Sequence, residues 1–120
     1  MSFRAILQRV VEAHPGVLGV LFCDEEGELV DMALAEGADL DPYELRVLAA
    51  SGASWLRTVT RVAELPSERV QQWLRHERVQ VLIEGLPEHY YLVAVVTPTV
   101  SASVVAHSLR RAGVETRAEM

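Results

Sequence analysis

Pro15-Gly16-Val17-Leu18-Gly19-Val20-Leu21-Phe22-Cys23-Asp24-Glu25-Glu26-Gly27-Glu28-Leu29-Val30 is the stretch that sets the architecture. A Pro-Gly breaker opens it, uncharged residues run from Val17 to Cys23, and an acidic tetrad ending in Gly27 turns the chain into a second extended run. This reads as a β-hairpin with a buried first arm and strands near residues 17–23 and 28–34. Gly27 supplies the positive φ that a short hairpin loop needs. A strand apolar on both faces lies inside a sheet covered on both sides, so the rest of the chain must supply helices above and below it.

Upstream, Ser2 caps a helix in which Phe3, Ile6, Leu7, Val10, Val11 and His14 recur at three- and four-residue steps, and Pro15-Gly16 ends it. Downstream, residues 35–40 form an acidic connection. Asp41-Pro42-Tyr43-Glu44 then gives an acidic N-cap, proline at the first helical position and a glutamate three residues after the cap. The helix they start is predicted to run to about Ala63, before Pro66. Along it Leu45, Leu48, Gly52, Trp55, Val59 and Val62 make one apolar strip and Ala49, Ala53, Leu56 and Ala63 a second, while Arg46, Arg57 and Arg61 take the solvated side. That is more apolar width than one sheet face requires. Gly52 costs about 1 kcal/mol in a helix interior; with its small neighbours it either seats the helix on its own sheet or, the preferred reading, lets the same helix of a second copy approach closely.

From Glu68 the pattern changes to strands. Residues 69–76, with Val70, Trp73 and Leu74 among polar neighbours, read as an edge strand open to another chain. Val79, Val81 and Ile83 alternate with Gln80 and Glu84, giving one mainly buried face. Leu86-Pro87-Glu88 turns the chain, and residues 90–96 are a second run apolar on both faces, expected beside residues 17–23 at the centre of the sheet. A last helix puts Val104, Val105, Leu109 and Ala112 inward and closes at Gly113, leaving a poorly structured tail from about residue 114.

At 120 residues, half of them hydrophobic, the chain reads as a single domain, residues 1–120, that folds without staples. No apolar run approaches the ~20 residues that span a bilayer, and the start lacks a signal-peptide pattern, so a cytoplasmic protein without membrane insertion is expected. Cys23 is the sole cysteine and reads as a small core hydrophobe. The net charge of −6 is unevenly placed: nine acids lie between Asp24 and Glu44 with no arginine among them, while the remaining chain carries eleven arginines and eight acids. This speaks against nucleic acid and leaves room for a basic protein partner, with Asp24, Glu25 and Glu26 on the acidic side and Arg46, Arg57 and Arg61 on the long helix as candidate contacts.

Motifs for catalysis are missing. The sequence carries no Walker A loop and no dinucleotide fingerprint. Residues 24–27 lack calcium-loop spacing, and one cysteine with four separated histidines offers no metal site. Its serines sit in no nucleophile context. No cofactor is expected, and binding is the better class than enzymatic activity.

The order helix, hairpin, long helix, three strands, helix, joined to Pro15-Gly16-Val17, residues 24–27 and Leu48-Ala49-Ala50, resembles the roadblock/LC7 family over residues 3–112. The resemblance implies an α/β/α sandwich: a five-stranded antiparallel sheet with one long helix on one face and the two terminal helices on the other. It also implies dimers built through the long helix and the neighbouring edge strand, which points to Leu45, Leu48, Gly52, Trp55, Leu56 and Val59 with Val70 and Trp73. Family members are non-catalytic partners of Ras-like small GTPases or adaptors, and bacterial ones look like regulators of a GTPase that sets cell polarity in gliding motility. The expected function is therefore a homodimeric scaffold that binds a Ras-like GTPase or its polarity complex. Activation of that GTPase would proceed by ordering its own catalytic loops. The alternative is an adaptor that binds another roadblock protein, or a response-regulator-type partner, and never contacts a GTPase. A third reading, a small-molecule sensor of related shape, needs convergent polar groups between sheet and helix, and the sequence shows none.

Overall fold

The computed structural model describes residues 2–120. The hairpin forms as the sequence requires: β1 (Val17–Cys23) and β2 (Leu29–Leu34) pair antiparallel around the Asp24–Gly27 turn. β3 (Gln71–Arg75), β4 (Gln80–Gly85) and β5 (Tyr91–Val96) complete one antiparallel sheet in the order β2-β1-β5-β4-β3. The two strands apolar on both faces are neighbours, with Cys23 opposite Tyr91 and Leu21 opposite Val93. Between Val17 and Gly19 the β1–β5 register shifts. The extra residue turns Val17 to the same side as Val20 and Phe22, where strict alternation would send it to the other.

Three helices cover the two faces, as the sandwich reading expects. Helix α1 (Phe3–Ala13), capped by Ser2, and helix α3 (Ala102–Glu119) lie on one face. There Ile6, Leu7, Val10, Val105 and Leu109 meet Val20, Phe22, Leu92, Ala94 and Val96. Helix α2 (Pro42–Ala63) covers the opposite face, where Leu45, Ala49, Ala53 and Leu56 meet Leu21, Cys23, Ile83, Tyr91, Val93 and Val95. Its start is the one its cap specifies: the Asp41 carboxylate accepts from the Tyr43 N–H at 2.8 Å and Pro42 takes the first helical position.

Three expectations need correction. The edge strand starts at Gln71, because residues Ser67–Arg69 wind into a 3₁₀ turn before it. Helix α3 does not close at Gly113; it runs on to Glu119, and a Cβ at Gly113 would stand 3.1 Å from Glu84 Cγ. The turn beyond it contributes a fully buried residue, Thr116, whereas Val104 faces out. Finally, β4 is buried on both faces, since its polar residues are satisfied rather than solvated. Gln80 donates to the carbonyls of Thr97 (3.0 Å) and Val100 (2.8 Å) and accepts from the Trp73 indole (2.9 Å). Glu84 accepts from Gln71 at 2.7 Å and lies 3.7 Å from the Arg110 guanidinium.

Burial pushes the Glu84 carboxyl above its ordinary value of 4.5, against the opposing pull of Arg110 and the Gln71 hydrogen bond. A raised carboxyl binds its proton more tightly folded than unfolded. Its favourable contribution is complete below pH 4.5 and is lost as pH rises through the folded value. Glu84→Gln keeps the acceptor for Gln71 and removes the buried charge. Urea melts are expected to show this variant more stable than the native chain at pH 7 and no more stable at pH 3.5. A variant less stable at pH 7 would mean that the Arg110 pair outweighs the cost of burial.

Candidate functional site

Helix α2 is the longest element, and its sides differ sharply. At 100° per residue, Leu45, Ala49, Gly52, Ala53, Leu56 and Thr60 form the arc that faces the sheet, and all are buried. The outward arc carries Tyr43, Val47, Trp55 and Val62, exposed by 72%, 47%, 50% and 74%. Ser51, Ser54 and Thr58 are exposed between them, and Leu48 and Val59 are half-buried along one margin. Between Glu44 in the first turn and Arg61 in the last, this lane holds no charge; Arg46 and Arg57 are exposed on its flank. Surface helices normally spend their outer face on charged residues; here four turns of that face carry none, with the half-exposed Trp55 along its margin.

The residues expected at a dimer interface therefore divide into two sets. Leu45, Leu56 and Val70 are spent in the chain's own core. Gly52 is filled from below: a Cβ there would lie 2.8 Å from Tyr91 Cε2, and the Tyr91 hydroxyl donates to the Ala49 carbonyl beside it. The small residues at mid-helix thus seat α2 on its own sheet. Leu48, Trp55 and Val59 remain available, and Tyr43, Val47 and Val62 join them. The spacing of residues 43, 47, 51, 54, 58 and 62 carries this lane in the sequence, since every step is three or four.

Strand β3 borders the sheet, and its outer edge pairs with no strand among the described residues. Trp73 is 54% exposed, but its indole reaches Gln80, which places it on the α3 face. It does not join the α2 lane.

The charged candidates at the hairpin tip are partly spent within the turn. Asp24 accepts from the N–H groups of Glu26 (2.9 Å) and Glu28 (3.0 Å), and Gly27 takes φ +83°. A Cβ on Gly27 would stand 2.9 Å from Ala50 Cα, so the tip rests on α2, and Arg57 fixes it by donating to the Glu25 carbonyl. The side chains of Glu25 and Glu26 face solvent, and with Arg57 and His89 they line a shallow depression. His89 belongs to the β4–β5 turn, where Glu88 and His89 both hold left-handed backbone, φ 61° and 65°.

Burial pushes the Cys23 thiol up to about 12, so it stays protonated at neutral pH. Among the described residues, His, Cys, Asp and Glu make no cluster that could hold a metal ion. No helix among them is long and apolar enough to cross a membrane.

No family model and no curated protein matches the sequence. Solved structures do match the fold. A roadblock/LC7 domain from Streptomyces avermitilis is 13% identical, superposes with a TM-score of 0.77, and the match covers 96% of this chain and 94% of that one. MglC from Myxococcus xanthus is 24% identical over the whole of both chains, with a TM-score of 0.73. The gliding protein MglB from Thermus thermophilus is 19% identical over 92% of this chain and 87% of that one, with a TM-score of 0.68. The chain has the roadblock/LC7 fold.

Proposed function

We propose that this roadblock/LC7-fold chain is a non-catalytic homodimeric scaffold of a bacterial cytoplasm, binding a Ras-like small GTPase or its polarity complex. The observations that carry the reading are the uncharged outer lane of α2 and the open edge of β3. A twofold interface sets each residue of one chain against the same patch of the other, so a charged lane would oppose itself. This lane brings Trp55, Val47 and Leu48 with serine and threonine between them, a surface able to face its own copy without repulsion. Pairing at the β3 edge would in the same step satisfy backbone groups otherwise left to solvent. The fold held in common with MglB, a gliding protein, and MglC supports a place in polarity and gliding motility. The GTPase partner is what the roadblock resemblance implies.

Affinity capture from native lysate with mass spectrometry, comparing the chain with a Val47→Glu/Trp55→Glu variant, tests the proposal. Recovery of a Ras-like GTPase by the native chain and its loss with the variant is the expected result. Recovery of other scaffold proteins alone, with no GTPase, would overturn the GTPase reading and leave an adaptor in its place.

A further inference from the structure

On the sheet face opposite α2, helix α3 stops short of covering β3, and a groove of 620 Å³ lies between them. Buried Leu82 lies beneath it and Ala106 on the helix wall, with Gln71 bridging from β3 to the Ala106 carbonyl at 3.1 Å and to the buried Glu84 carboxylate. The far wall is the Trp73 ring, half exposed yet held in place because its indole N–H is bound to Gln80 at 2.9 Å. The helix wall carries Ser103, His107 and Arg110 at steps of four and three, one polar ladder along the rim. Arg110 is anchored 3.7 Å from Glu84 but keeps 60% of its side chain exposed. None of the described residues lining the groove is acidic, in a chain whose net charge is −6.

We infer that this groove docks an acidic segment of a partner protein. An apolar side chain of that segment would lie on Trp73, Leu82 and Ala106, and flanking carboxylates would meet His107 and Arg110 with Ser103 as a further hydrogen-bond donor. A fixed tryptophan loses little rotamer freedom when covered, which suits it as an anchor. Arginine at a rim pairs with carboxylate in bidentate fashion. The chain's acidity elsewhere repels such a segment from other surfaces, so charge selects the site as well as strengthening it. The site lies on the sheet face opposite the α2 lane.

Selection from a random peptide library displayed on phage, against the intact chain, tests this. The expected result is enrichment of peptides with aspartate or glutamate flanking an apolar residue. Their affinity should fall about tenfold or more with His107→Glu and with Ser103→Glu, two exposed positions whose substitution leaves the melting temperature unchanged, and also with Trp73→Ala. The same peptides should bind the Val47→Glu/Trp55→Glu variant undiminished, which separates this site from the α2 interface. Enrichment of basic peptides, no enrichment, or acidic peptides indifferent to His107→Glu and Ser103→Glu would each overturn the inference.

Discussion

Gly85→Ala is expected to destabilise the chain by about 3 kcal/mol. Gly85 ends β4 where the 3₁₀ turn crosses it, and a Cβ there would be driven into the Ser67 carbonyl, 2.8 Å from its carbon and 3.1 Å from the Val70 oxygen. Those are backbone atoms, and they have little room to give. The Gly85 N–H donates to Val70 O at 2.9 Å, the Ser67 hydroxyl donates to the Leu86 carbonyl, and the His89 N–H donates back to that hydroxyl at 3.2 Å. Relief of the overlap would break this set of bonds together. Gly37→Ala is the control: Gly37 has φ +78° but nothing within 4 Å of a Cβ, so only backbone strain of about 1 kcal/mol is expected. Urea denaturation of both variants separates the two costs. Equal losses would show that the turn at Ser67–Arg69 shifts freely, contrary to its place as the brace that sets where β3 begins.

The second large effect is expected at Trp55. In a twofold interface one substitution acts on both chains, so Trp55→Glu removes two aromatic anchors and adds two like charges where no charge stood. A loss of about 4 kcal/mol in dimer affinity, roughly a thousandfold, is the expected magnitude, measured from the heat of dilution of native and variant chains. The side chain is half exposed and stays outside the core, so secondary structure and the α2 cap should be untouched. An unchanged dilution profile would mean that Trp55 lies outside whatever interface forms.

Much of the architecture was legible because it rests on local chemistry. The β1 bounds follow from an uncharged run between Pro15-Gly16 and the Asp24 turn, and those of α2 from Asp41-Pro42 and the stop before Pro66. What was not legible depended on contacts between distant residues. Gln80 and Glu84 read as the solvent side of β4 because alternation assumes that polar means wet; their partners lie on β3, on α3 and in the loop after β5. Which way Trp73 points depends on where β3 begins, and the 3₁₀ turn decides that. Gly52 offers space to another chain in the sequence, whereas in the fold Tyr91, 39 residues on, fills it. The groove needs Trp73 and His107 brought together from separate elements, so no spacing in the sequence announces convergent polar groups there.

Sedimentation equilibrium of the native chain at micromolar concentration, beside Val47→Glu/Trp55→Glu, tests the central claim most directly. The expected result is twice the 13.3 kDa chain mass for the native protein and a single chain mass for the variant. A native chain that sediments as a monomer, or a variant that remains a dimer, would contradict pairing through the outer lane of α2.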